Sequence, residues 1–207
     1  MSVEQEQQLS HIAGEVRVCT DCELHRSRTL AVPGEGAANA EVMFIGEAPG
    51  MNEDRQGRPF VGNAGQFLDE MLESIGWDRK SVFITNIVKC RPPGNRDPLP
   101  DEIMACSQYL DRQIEIIDPL MIVTLGRHSM ARWFANERIS RIHGKPRRDG
   151  KRVIVPLYHP AAALHQPSLR AVVQADFKRL PLILEEARDM ADEDEGTDEA
   201  PEQMSLF

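Results

Sequence analysis

Residues 41–50 read Glu-Val-Met-Phe-Ile-Gly-Glu-Ala-Pro-Gly, and this stretch decides the fold. The apolar run 41–46 is too short for a helix and stops dead at a Gly/Pro turn, as a strand buried on both faces does. Three more runs of this kind follow: 81–88 (SVFITNIV), 120–126 (LMIVTLG) and 152–157 (RVIVPL). Between them lie segments of helical period. In 63–75, Phe67, Leu68, Met71, Leu72 and Ile75 share one face, and Gly76 follows as a stop. Residues 99–117 open with Pro100, Asp101 and Glu102, which suit a first helical turn. Further helices are expected over 1–18, over 127 to about 136, and over 168 to about 189, interrupted or bent at Pro181. Residues 50–62 are too punctuated for regular structure.

Continuously apolar strands alternating with helices predict an α/β fold. The expected form is a three-layer sandwich with a central four-stranded, mostly parallel sheet flanked by helices. Ligands of such sheets bind beyond the C-terminal strand ends. The unusual residues sit at those ends: the 46–50 turn, Asn86 and His159. Glu47 would stand at the mouth of the sheet. An Asn inside an apolar strand must satisfy a donor and an acceptor, in a turn or on the edge of a base. Phe60, between Pro59 and Gly62, can stack on a base or fill the core. The phosphate-binding pattern GxxxxGK[ST] is absent, which disfavours a nucleotide triphosphatase.

The chain has 207 residues, is 41% hydrophobic and carries a net charge of −9. That suits one domain, 1–188, with an acidic, disordered tail over 189–207. Residues 185–202 hold ten acids against one base (Arg188), leaving 23 acids and 23 bases elsewhere. Within that balanced part, Arg138, Arg141, Lys145, Arg147, Arg148, Lys151 and Arg152 form a basic cluster that could neutralise phosphates or simply be solvated. No apolar stretch reaches a membrane span and residues 1–10 have no signal-peptide core, so a cytoplasmic, nucleoid-associated monomer is expected. In a reducing compartment the four cysteines, Cys19-x2-Cys22, Cys90 and Cys106, point to a metal site. Four thiolates accept zinc or a four-iron cluster, and spacing alone does not choose.

Taken together, these residues resemble a known family. Gly46-Glu47-Ala48-Pro49-Gly50, followed by Glu53-Asp54, Gly57-x-Pro59-Phe60-Val61-Gly62 and Ala64-Gly65, resembles the first signature of the uracil-DNA glycosylase superfamily. His159-Pro160-Ala161-Ala162 resembles its second. Cys90 within Asn86-Ile-Val-Lys-Cys-Arg-Pro-Pro narrows the likeness to the family 4, iron–sulfur type, over about residues 12–188.

The resemblance implies a DNA repair glycosylase that hydrolyses the N-glycosidic bond of deoxyuridine in single- or double-stranded DNA, leaving an abasic site. It implies a 4Fe-4S cluster on Cys19, Cys22, Cys90 and Cys106. It implies a uracil pocket of Gly46, Glu47, Ala48, Glu53, Phe60, Asn86 and His159. Glu47 would be the catalytic carboxylate, Phe60 the stacking ring and Asn86 the reader of N3–H and O4. His159 would donate to O2, and Glu53 would stand beside C5 against a thymine methyl. Leu164 is expected to help hold the duplex open.

Arg141-Ile142-His143 superficially resembles the loop through which some relatives covalently trap DNA. A uracil-DNA binding or crosslinking protein with little turnover is therefore the alternative. In those relatives the loop lies between the third and fourth ligands, here only fifteen residues apart, and Gln usually stands where this chain has Ala48; turnover is expected. Finally, Gln203-Met204-Ser205-Leu206-Phe207 resembles the peptides that dock on the bacterial replication sliding clamp.

Overall fold

The computed structural model describes residues 3–197. Its centre is the four-stranded parallel sheet that the apolar runs predict. The strands are β2 (Val42–Gly46), β3 (Phe83–Asn86), β4 (Met121–Leu125) and β6 (Arg152–Leu157). Two short strands, β1 (Glu35–Gly36) and β5 (Arg147–Asp149), extend it to six in the order β1-β3-β2-β4-β6-β5. Both edge strands pair antiparallel, β1 with β3 and β5 with β6.

Side chains alternate across the sheet. Val42, Phe44, Ile84, Val123 and Val155 face a core built with α3 (Asn63–Ser74), α7 (Pro160–His165) and α8 (Ser168–Thr197). Phe44 stacks there on Phe177, ring centroids 6.0 Å apart. Met43, Ile45, Phe83, Ile122 and Ile154 face the other way, toward α4 (Pro100–Ile117), α5 (Arg127–Met130) and α6 (Ile139–Ile142). A third apolar group, including Ile12, Val16, Leu24, Val88 and Tyr109, seats α1 (Val3–Val18) beside α4 and encloses the cysteines.

Several elements depart from expectation. Residues 50–62 contain a short helix, α2 (Met51–Gln56). The helix expected over 127–136 closes after one turn at Met130, and Asn136 takes a left-handed backbone (φ +69°). The last helix runs on to Thr197 rather than to about Asp189, with Pro181 inside it. Its apolar stripe, Val173, Phe177, Leu180, Leu184 and Ala187, continues across the proline, and that packing outweighs one missing hydrogen bond. Residues 203–207 lie outside the described residues.

Three residues of the basic stretch 138–152 are engaged within the fold. Arg147 lies 3.8 Å over the Phe134 ring and pairs with Glu137, while Lys151 and Arg152 hold Asp118 at 2.5 and 2.6 Å. The β5–β6 turn sits at the start of β6, the end of the sheet opposite His159. Among the described residues no helix is long and apolar enough to cross a membrane.

Candidate active site

Parallel register brings the strand tips together. Gly46 ends β2 directly beside Asn86, the end of β3. Leu125 and Leu157 end β4 and β6 side by side. The ladder continues past β2, where Ile87 N–H donates to the Gly46 carbonyl at 3.0 Å and Val88 N–H to the Glu47 carbonyl at 3.2 Å. Glu47 is thereby held at the mouth of a cleft of about 580 Å³, which Ala48, Glu53, Phe60, Asn86 and His159 also line. That volume suits a small organic ligand.

Phe60 is the most constrained residue of the cleft, with a left-handed backbone (φ +51°) that a bulky residue rarely adopts. Two glycines make room for it. A Cβ on Gly65 would lie 1.9 Å from the Phe60 carbonyl oxygen, and one on Gly46 would lie 2.6 Å from the Phe60 ring. Arg79 donates to the Phe60 carbonyl at 3.1 Å and also to the Pro59 carbonyl. The ring then faces that of His159, centroids 5.7 Å apart and 28° from parallel.

Glu53 closes the loop from inside. One carboxylate oxygen accepts the Val61 and Gly62 N–H groups, both at 2.8 Å, and the other accepts Gly50 N–H at 3.1 Å. Those bonds create α2 from a segment with no local helical signal. Glu53 thus lines the cleft as expected, but both of its oxygens are engaged by the loop backbone.

Asn86 is 2% exposed, and its Oδ1 has no hydrogen-bond donor. A Cβ on Gly46 would lie 2.4 Å from this oxygen, so the bare glycine is what leaves it room. Leaving a buried acceptor unmet costs about 1–3 kcal/mol, which a ligand N–H recovers.

His159 caps α7, and its Nδ1 accepts the Ala161 N–H at 3.1 Å. Burial pushes its pKa down to about 4, against a weaker opposing pull from Glu53. A neutral ring whose Nδ1 accepts must carry its hydrogen on Nε2, so this side chain is a fixed donor.

A fourth tip joins the three read from the sequence. After β4, His128 Nε2 lies 3.8 Å from Glu47 Oε2 and 3.3 Å from Asp97 Oδ2. Arg127 binds Asp97 at 2.5 Å. Burial raises the Glu47 pKa; His128 pulls it down, Asp97 adds to the rise and Arg127 opposes it. The sequence reading passed over His128 and Asp97. The available signal was a histidine two residues after the glycine that ends the third apolar run.

The four cysteines come from three segments to one small cavity against α4. Donors converge on the sulfurs. Arg28 reaches Cys90 Sγ at 3.2 Å, Lys89 N–H reaches Cys106 Sγ at 3.3 Å, and the Tyr109 hydroxyl hydrogen-bonds Cys19. Burial raises the Cys22 and Cys90 thiols and pushes Cys106 up to about 11, so without a metal these three would stay protonated. N–H donors aimed at buried sulfur suit metal-bound thiolates, and the set fits a four-thiolate centre. Ala48 packs on this group while also lining the cleft, so the two sites share a wall.

A family model described as the uracil DNA glycosylase superfamily matches residues 33–180. The chain belongs to the uracil-DNA glycosylase superfamily. It is 53% identical over 182 residues to a type-4 uracil-DNA glycosylase of Sulfurisphaera tokodaii, covering 83% of each chain. It is 48% identical over 182 residues to that of Archaeoglobus fulgidus, covering 83% of this chain and 91% of the relative. To that of Thermotoga maritima it is 42% identical over 180 residues, covering 84% and 93%.

For a uracil-DNA glycosylase family member the sequence-derived residues are well gathered. Glu47, Ala48, Glu53, Phe60, Asn86 and His159 line one cleft; Gly46 is not among its lining residues but stands against the Asn86 and Phe60 side chains. Leu164 stands 41% exposed on α7, whose residues Ala161 and His165 reach the cleft.

Proposed function

We propose that this glycosylase flips deoxyuridine out of DNA, single- or double-stranded, and hydrolyses its N-glycosidic bond, releasing uracil and leaving an abasic site. Flipping costs on the order of a few kcal/mol, which binding in the cleft must recover. The observation that carries the reading is the unmet Asn86 Oδ1, buried beside the Phe60 and His159 rings. Uracil presents N3–H to such an acceptor. Cytosine presents a lone pair at N3 and is repelled.

The chemistry follows from the other two groups. As the C1′–N1 bond breaks, the sugar becomes cation-like and uracil departs as an anion. His159 Nε2–H donates to uracil O2, which stabilises that anion; an oxyanion donor of this kind contributes roughly 3 kcal/mol. Glu47 stabilises the cationic sugar and takes a proton from the water that adds to C1′. Phe60 holds the base by stacking. Water supplies the new C1′–O bond, and solvent returns a proton to uracil N1.

Cys19, Cys22, Cys90 and Cys106 would hold a 4Fe-4S cluster, and these four ligands would tie the N-terminal segment to the loop after β3 and to α4. The enzyme acts as a monomer in the cytoplasm, at the nucleoid. The peptide Gln203-Met204-Ser205-Leu206-Phe207 would tether it to a sliding clamp, raising its effective concentration on replicated DNA.

The crosslinking alternative would call on His143. That ring gives Nδ1 to the buried Asp176 at 2.7 Å and packs on Tyr158, away from the residues lining the cleft. Incubation with uracil-containing oligonucleotides should therefore give free uracil, alkali-labile abasic sites and no SDS-stable adduct. Glu47→Ala and His159→Ala should each lower release by ~10²-fold or more while the purified protein stays brown. Stable adducts without free uracil would overturn the hydrolytic reading.

A further inference from the structure

A residue outside the three strand tips read from the sequence stands close to Glu47. His128 Nε2 is buried and without a hydrogen-bond partner, yet two carboxylates stand close to it. Asp97 Oδ2 is 3.3 Å away and Glu47 Oε2 3.8 Å away. The next two residues of α5, Ser129 and Met130, are buried and anchor the helix that carries the ring. Asp97 already has a partner in Arg127 at 2.5 Å. Among the described residues the other cations near Glu47 are already engaged: Arg127 by Asp97, and Arg96, which also lines the cleft, by the buried Glu102 at 2.6 Å. The nearest donor that can turn to Glu47 is therefore His128.

The need for a donor is physical. A half-buried carboxylate in a cleft loses water as DNA covers it, and loss of water favours the neutral acid. A neutral acid could neither stabilise a cationic sugar nor accept a proton from water. Three groups face Glu47 and act on it. Asp97, from the loop before α4, disfavours its charge, whereas His128 and Arg127, from α5, favour it. Of those two, Arg127 is the more exposed and is drawn to Asp97.

We propose that His128 is a positioning residue for Glu47: its Nε2–H, set between the Glu47 and Asp97 carboxylates, aims the Glu47 carboxylate at the sugar and keeps it ionised once DNA closes the cleft. The proposal rests on the reading of Glu47 as the catalytic carboxylate. His128 itself touches neither base nor sugar. The third parallel strand thus contributes to catalysis alongside the other three.

The test is single-turnover uracil release by the full-length, cluster-loaded protein, from about pH 5.5 to about pH 9.5, for the wild type, H128Q, E47Q and the double variant. Without His128, burial of Glu47 is less opposed, so the acid limb of the rate profile should move to higher pH. Release by H128Q should be ~10-fold slower than wild type on the acid limb, below the wild-type midpoint, shrinking to less than ~3-fold on the plateau, with unchanged DNA affinity. In the E47Q background, H128Q should add less than ~2-fold, because its effect passes through Glu47.

A uniform loss at every pH with the limb unmoved, a full multiplicative loss on top of E47Q, or wild-type rates in H128Q would each overturn the proposal. Should H128Q bleach the cluster or melt early, H128N carries the same comparison. The E47Q variant by itself decides the other question: wild-type rates in it would remove the catalytic reading of Glu47, and the proposal with it. A slow E47Q beside an unshifted H128Q would remove the proposal alone.

Discussion

The Lys89 ammonium donates to the Asn86 main-chain carbonyl at 2.8 Å. It also donates to Thr85 Oγ1 at 2.6 Å and to Gln113 Oε1 at 2.7 Å, so all three protons are used on a side chain 1% exposed. Its neighbour is the cysteine Cys90, and its own N–H binds Cys106 Sγ. One buried lysine thus connects Asn86 of the cleft with the wall of the cysteine site. Burial lowers its pKa to about 8, and the Cys106 thiolate opposes that shift.

Lys89→Met should be costly although methionine fills much of the same space. It strands the Gln113 and Asn86 oxygens in the interior, a loss of about 2–4 kcal/mol. Urea denaturation should report that loss. The rate of uracil release should fall more than DNA affinity, because the end of β3 is what loosens.

The ionisation of His159 predicts a pH dependence of stability. In the folded chain it protonates near pH 4, against its ordinary value of 6.5. Between these values the unfolded chain holds more protons, so this group's contribution is full above about pH 6.5 and is lost as pH falls toward about 4, on the order of 3 kcal/mol. His159→Asn should flatten the stability curve of the wild type in that window while leaving stability near pH 8 within about 1 kcal/mol. Urea melts at several pH values measure both.

Glu53 separates two roles for one carboxylate. If its chief work is holding Gly50, Val61 and Gly62, Glu53→Ala should destabilise by about 3 kcal/mol and speed hydrogen exchange at the Val61 and Gly62 amides. Uracil release should fall as Phe60 loosens. Thymine release should stay negligible. Appreciable thymine release from Glu53→Ala would instead place its main effect at the base.

Much of this was legible in the sequence. Four apolar runs ending in Gly46, Asn86, Gly126 and the 158–160 turn gave the parallel sheet and three of its four chemical tips. The edge strands were not, because a two-residue pairing at Glu35–Gly36 and a wholly exposed Arg147–Asp149 carry no alternation to read. Helix α2 depends on bonds from Glu53 to residues eight and nine positions away, which local punctuation hides. The ion pairs of the basic stretch were hidden for a related reason. The acid that neutralises Lys151 and Arg152 is Asp118, more than thirty residues earlier. His128 was missed because a lone histidine on a one-turn helix has no pattern, and only the fold brings it to Glu47.

The most direct test of the central claim, that Asn86 Oδ1 receives the N3–H of a flipped uracil, replaces that hydrogen. Single-turnover release should be compared for uracil and N3-methyluracil in the same oligonucleotide, with the wild type and Asn86→Ala. The wild type should discriminate by ~10³-fold or more, and Asn86→Ala should lose at least ~10-fold on uracil while narrowing that ratio, because the unpaired acceptor and the crowding both go with the amide. Equal release of the two bases by the wild type, or an undiminished ratio in Asn86→Ala, would contradict the account.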